Sequence, residues 1–201
     1  MGRKSKADIR KPEILEHFYQ VLSEEGYAGA TLEKIATRMG VHSSLLVHYF
    51  KTKDDMMVAL VESMTREYER YYLDKVDSIA DPAERLKASL DVMFGREWTE
   101  IVDASVFYGP SMDLCFRNDR IMSCYRRMYG RMKEGVIREL KLYVEQGVIR
   151  KIDIEKTAGI IISMLEGLHI YRVFLGEKPS FEELSEYLKE LAMLLLAGEN
   201  E

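Results

Sequence analysis

Along nearly the whole chain, hydrophobic residues recur at spacings of three and four, and strict apolar–polar alternation is almost absent. That period predicts α-helices throughout and no confident strand. Lys11–Pro12 is read as the opening of a first helix, because proline suits a first-turn position that needs no N–H. Ile14, Leu15, Phe18, Val21 and Leu22 then share one face, and Gly26 ends it. Thr31 is an N-cap for a second helix that Gly40 closes, and a third short helix runs from about Ser43 to Phe50. A long helix follows from near Thr52 to about Asp77, spanning roughly 38 Å at 1.5 Å per residue. Asp81–Pro82 opens a fifth helix to about Trp98, and Thr99 or a neighbour caps a short sixth ending at Tyr108. Gly109–Pro110 is a hard break. Three more helices are expected: about Asn118–Gln146 before Gly147, Asp153 to Gly176, and Ser180 to near Ala197. The expected fold class is all-α, with about nine helices.

Composition narrows the picture. The 201 residues carry 29 Lys+Arg against 34 Asp+Glu, a net charge of -5, which by itself argues against a nucleic-acid partner. The charge is unevenly placed. Residues 1–53 carry nine basic and six acidic side chains, a balance of +3, and the remainder carries -8. A boundary therefore falls at residue 53, dividing a reading head (1–53) from a body (54–201). Two cysteines, Cys115 and Cys124, are too few for a disulfide framework, although a redox role for the pair stays open. Met1–Lys11 is basic and polar rather than apolar, no stretch is apolar enough to span a membrane, and the expected compartment is the cytoplasm.

The segment Leu32–Phe50, LEKIATRMGVHSSLLVHYF, has the spacing of a helix-turn-helix. Two short helices crossing steeply need a small inner residue, supplied by Ala36. The turn needs a residue tolerant of positive φ, supplied by Gly40. Ile35, Met39, Val41 and Leu46 fall where they would pin the pair together. A plain helical hairpin accounts for those apolar positions equally well. It does not account for the absence of any acid from Lys34 to Lys53, where a face meant only for solvent would mix signs.

With its flanks, the segment TLEKIATRMGVHSSLLVHYFKTKDDM resembles the N-terminal signature of the TetR family of bacterial transcriptional regulators. The resemblance implies three helices for DNA followed by a helical ligand-binding and dimerisation bundle; VIRKIDIEKTAGIIISMLEGLHIYRVFL is similar to that bundle's eighth-helix region. It implies phosphate contacts for Thr31, Lys53 and Tyr49, a buried anchor in Phe50, and base contacts for His42, Ser43, Ser44, Leu45, Val47 and His48. The arm Arg3, Lys4 and Lys6 is expected to add phosphate or minor-groove contacts. Two departures stand out. Ser43–Ser44 replaces the family's frequent Lys–Gly or Lys–Ala, and Val47 replaces its frequent aromatic. No Arg or Lys sits ready for a bidentate guanine contact, so apolar contact of Leu45 or Val47 with thymine methyls is favoured.

The body is rich in Met and aromatic residues. Met93, Trp98, Phe107, Tyr108 and Met112 cluster about the Gly109–Pro110 break, Tyr125, Met128 and Met132 recur along the next helix, and His169 is the polar candidate on an apolar helix. These are the candidate effector contacts, for a small and mostly apolar ligand; the same stripes also read as plain core. Ile160, Ile161, Ile162, Met164 and Leu165, with Leu188, Leu191, Met193, Leu194, Leu195 and Leu196, exceed one buried face and are expected to pair with a second copy through the eighth and ninth helices. The histidines form no metal-ligand pair, and no hydrolase elbow, Walker loop or dinucleotide loop is present. No cofactor, metal or catalytic residue is expected. The expected function is a homodimeric repressor that binds a palindromic DNA operator and is released by the effector. A helical interaction protein and a small-molecule enzyme on the same bundle are the competing readings.

Overall fold

The computed structural model describes residues 6–96, 114–175 and 181–197, and among these it is all-α, with no strand, a helical turn at 114–117 and eight longer helices. They are α1 (Lys6–Gly29), α2 (Leu32–Met39), α3 (Ser43–Tyr49), α4 (Lys53–Val76), α5 (Pro82–Phe94), α6 (Asp119–Glu145), α7 (Ile154–Leu175) and α8 (Phe181–Ala197). The predicted Thr99–Tyr108 helix lies outside the described residues, as do Trp98, Phe107, Tyr108 and Met112.

Most helix ends follow from caps visible in the sequence. Asp81 accepts the Glu84 N–H at 2.9 Å and Pro82 stands first in α5. Asp153 accepts the Lys156 N–H at 3.2 Å. Asn118 takes the Arg120 and Ile121 N–H groups at 3.0 and 3.2 Å. Gly40 and Gly147 sit at φ +66 and +71, where a side chain would strain the backbone.

Three boundaries differ from expectation. α1 begins at Lys6, so Pro12 lies inside the helix rather than at its start. Ile9 to Pro12 are all exposed, and the proline there takes one N–H out of the helix ladder, a loss that usually costs about 3 kcal/mol. Gly26 has φ +68 and kinks α1, but a further turn reaches Gly29. α5 stops at Phe94, where Gly95 adopts an extended conformation and Ser185 takes the Phe94 carbonyl at 2.6 Å.

The described residues form two compact units. The first holds residues 6–64 and 114–126, the second 65–96, 127–175 and 181–197; α4 and α6 each contribute to both. In the first, Ile14, Phe18, Leu22, Ile35, Leu46 and Met56 are almost wholly buried. In the second, Phe94, Tyr143, Ile161 and Leu196 are large, almost wholly buried members of a core drawn from α5, α6, α7 and α8. His169 belongs to this core: its side chain is inaccessible to solvent and its ring lies 6.0 Å from that of Phe181.

Removing the Asp81 side chain (Asp81→Ala) is expected to cost about 1 kcal/mol in urea unfolding, and Phe94→Ala about 3–5 kcal/mol, because one loses a cap and the other opens a cavity. Burial, assisted by the Arg172 charge, lowers the His169 pKa from 6.5 to about 4 against a small opposing bond to Met93 backbone. Below pH 6.5 the unfolded chain takes up a proton that the folded chain refuses. Stability is therefore lost as pH falls from 6.5 to about 4, by about 3 kcal/mol in all. Chemical denaturation across that range should show the loss, and His169→Gln should flatten it.

Candidate functional site

The reading head is assembled by α2 and α3 on the scaffold of α1. Ile35, Ala36 and Leu46 are buried where the helices meet, and Gly40 turns the chain, its N–H meeting the Thr37 carbonyl at 3.1 Å. Thr31 caps α2: its hydroxyl oxygen accepts the Lys34 N–H at 3.3 Å, which leaves the hydroxyl hydrogen to donate outward. His42 is the cap of α3 rather than a member of it. Its Nδ1 accepts the Ser44 N–H at 3.4 Å and lies 2.9 Å from the Ser44 hydroxyl.

Along α3, Ser44, Val47 and His48 are exposed, Ser43, Leu45 and Tyr49 are half-buried, and Phe50 is buried at the C-cap. The Tyr49 and His48 rings meet edge to face at 5.1 Å. The sequence-derived group Thr31, His42, Ser43, Ser44, Leu45, Val47, His48 and Tyr49 thus gathers at one cap and along one short helix. The chemistry of the exposed part is one apolar side chain, hydroxyls and imidazoles, with no carboxylate.

Lys53 is more engaged than its assigned phosphate role requires. Its ammonium donates to the Tyr27 carbonyl at 2.6 Å and lies 4.2 Å from the centre of the Tyr27 ring. Burial lowers its pKa, and the neighbouring Asp54 opposes the change. Asp54 accepts from the Tyr27 hydroxyl and, at 2.5 Å, from the Asn118 side-chain amide. Burial and this carboxylate raise the Tyr27 pKa well above the usual phenol range. Arg120 binds Asp55 at 2.5 Å beside it. Asp54 and Asn118 were not anticipated, since nothing in sequence spacing joins residues 64 apart.

Elsewhere in the head, cations are held by acids. Arg38 makes a two-pronged bond to Glu24 at 2.7 and 2.8 Å, Lys34 pairs with Glu25, and Arg10 pairs with Glu13 at 2.6 Å.

The second unit encloses a cavity of about 340 Å³, within the range of small-ligand sites. α4 supplies Tyr68 and Tyr72, α5 supplies Ser89, Leu90 and Met93, and α6 supplies Met128, Met132 and Tyr143. Of the expected effector contacts, Met93, Met128 and Met132 line it. His169 is in the surrounding core and not in the wall, and Tyr125 is buried in the first unit. The three wall tyrosines went unanticipated; Tyr68 and Tyr72 are spaced i, i+4 on α4, the pattern that would have shown one face.

At one end of the cavity Arg85 and Glu139 form a two-pronged pair at 3.1 and 3.2 Å, with side chains 18% and 16% exposed. The pair raises the Arg85 pKa, chiefly through the hydrogen bonds that Arg85 donates to Glu139. Burial raises the pKa values of Tyr68 and Tyr72, and takes Tyr143 to about 12.

Among the described residues no group of three His, Cys, Asp or Glu side chains is placed to hold a metal ion, and no helix is long and apolar enough to cross a membrane. Cys115 and Cys124 are buried and in no disulfide; burial, then the Cys124 neighbour, pushes the Cys115 thiol up, away from reactivity.

Comparison with known proteins matches both halves of the chain. Residues 14–60 match the family described as bacterial regulatory proteins, tetR family, and residues 81–197 match the tetracyclin repressor-like C-terminal domain. The HTH-type transcriptional regulator BetI of Stenotrophomonas maltophilia is 32% identical over 98 residues, which span 47% of this chain and 48% of that protein. BetI of Klebsiella pneumoniae is 26% identical over 189 residues, 90% of each chain. The crystal structure of a candidate transcriptional regulator from Saccharomonospora viridis, in complex with choline, shares the fold: TM-score 0.81 at 19% identity, covering 95% of this chain and 99% of that one. The head matches the regulators' own N-terminal family and more than half of the chain matches their C-terminal domain: the protein belongs to the tetR family of bacterial regulators.

Proposed function

We propose that the chain is a homodimeric repressor that binds a palindromic operator through α3 and is released by a small, mostly apolar effector held in the cavity of the second unit. Residues 1–53 read DNA, and residues 54–201 bind effector and form the dimer. The observation that carries this reading is the coexistence, on one chain, of an exposed acid-free α3 and an apolar cavity of about 340 Å³. The choline complex of the Saccharomonospora viridis relative supports a compact effector.

Two copies suit the task because one short helix makes few base contacts, whereas two related by a two-fold axis read a palindrome. Exposed apolar side chains support the place proposed for the second copy. On α7, Ile160 and Tyr171 are exposed, and Gly167 between them has open space above it. On α8, Tyr187, Leu191 and Leu194 recur at i, i+4 and i+7, with Leu194 67% exposed. Of the residues first expected there, Ile161, Leu165 and Leu196 face the chain's own core instead. Release follows from linkage: the effector frees DNA only as far as it prefers a dimer whose heads no longer match the two half-sites. α4, unbroken from Lys53 to Val76, carries residues of both the head and the cavity wall.

Selection from random duplexes at low salt should enrich one palindromic sequence, and failure to enrich any would overturn the reading. Val47→Asp, which sets a carboxylate against the groove, is expected to weaken operator binding roughly 100-fold in mobility shift while leaving circular dichroism unchanged. Leu194→Glu is expected to shift the dimer to monomer in analytical ultracentrifugation and to weaken operator binding with it.

A further inference from the structure

The polar end of the cavity has hydrogens that can be counted. Tyr72 donates to the Ser89 oxygen at 2.9 Å. Ser89 donates to the Arg85 carbonyl at 2.8 Å, and Tyr143 donates to Glu139 at 3.2 Å. Ser89 and Tyr143 also lie 3.2 Å apart. Three hydroxyls have three hydrogens, and each already has a protein acceptor. What this cluster keeps for a ligand is lone pairs on the two phenol oxygens, together with aromatic rings.

That polarity selects by charge. A carboxylate or phosphate brings only acceptors and finds no hydrogen in the cluster, so it would be buried there without a partner. The Arg85 guanidinium is spent on Glu139. Arg131 and Arg138 belong to the wall, but both side chains are exposed, where water and salt screen them, and Arg131 faces Glu69 at 3.6 Å. The Glu166 charge acts on Tyr68 of the wall, and Glu166 accepts the Tyr129 hydroxyl at 2.9 Å. A cation brings the complement to each feature: its positive charge is attracted both by the lone pairs and by the aromatic faces.

Resting on the reading of this cavity as the effector site, we infer that its effector is an organic cation, an ammonium group on an apolar body, seated against Tyr72 and Tyr143. Met93, Met128 and Met132 take the apolar body. Tyr72 and Tyr143 are then specificity-determining residues.

Three probes of matched bulk test this by isothermal titration into the full-length protein: choline, its neutral carbon isostere 3,3-dimethylbutan-1-ol, and the anion 3,3-dimethylbutanoate. Choline is expected to bind at least about tenfold more tightly than the alcohol, and the anion more weakly still. Tyr72→Leu should erase most of the preference for choline over the alcohol, and Tyr72→Phe, which keeps the ring, should retain most of it. Met132→Trp, which fills the cavity, should abolish binding of choline. Equal or tighter binding of the alcohol or the anion, lost in Met132→Trp, overturns the cation assignment and leaves the cavity as effector site. Choline binding that survives Met132→Trp, or no binding by any probe, overturns the assignment together with the site.

Discussion

The Asp54 carboxylate is the constraint on which the first unit turns. It receives the Tyr27 hydroxyl from the end of α1 and the Asn118 amide from the residue that caps α6, and it does so from the first turn of α4. Three helices thereby share one anion. Lys53, next to it in sequence, ties the Tyr27 carbonyl as well, so the α1–α2 corner is held through both its side chain and its backbone. A hydrogen bond to a charged group is stronger than one between neutral groups, and several converging on one carboxylate fix direction as well as distance. The placement of Thr31 and of α2 after that corner depends on it.

Charge in the head is organised in the same way. The nine basic residues of 1–53 suggest a broad attraction for phosphate. Lys34, Arg38 and Arg10 are committed to acids of α1, and Lys53 to a carbonyl. Exposed pairs of this kind contribute little to stability, but they spend local field. The balance of +3 therefore overstates what is directed at a duplex, and selectivity falls more heavily on shape and on the side chains of α3.

Much of this was legible in the sequence because it is local. Caps at Thr31, Asp81 and Asp153 and turns at Gly40 and Gly147 depend on residues three or four apart, and the structure has them where the pattern placed them. Pro12 was misleading because proline's preference for a first turn does not report how far a helix runs ahead of it. The candidate sites divide along the same line. The residues of α3 are consecutive and were found together. The cavity needs Tyr72, Ser89 and Tyr143 from three helices, and only folding brings them together. The apolar stripe on α7 and α8 was visible, yet its division between core and surface depends on helix rotation, which separates Ile160 from Ile161.

The hydrogen-bonded row at the cavity's end also works as a fixed dipole. From Tyr72 through Ser89 to the Arg85 carbonyl the protons all point one way, and reversing the row would leave the carbonyl without its hydrogen. The phenols that bound it are displaced upward by burial, and Arg85 upward by its carboxylate, so none of these groups changes charge near neutrality. The His169 imidazole of α7 loosens the fold in acid, but these phenols and Arg85 keep their protons for as long as the fold lasts. The row therefore presents the same dipole to a ligand across that range, and its discrimination by charge is set by where the helices hold the hydroxyls.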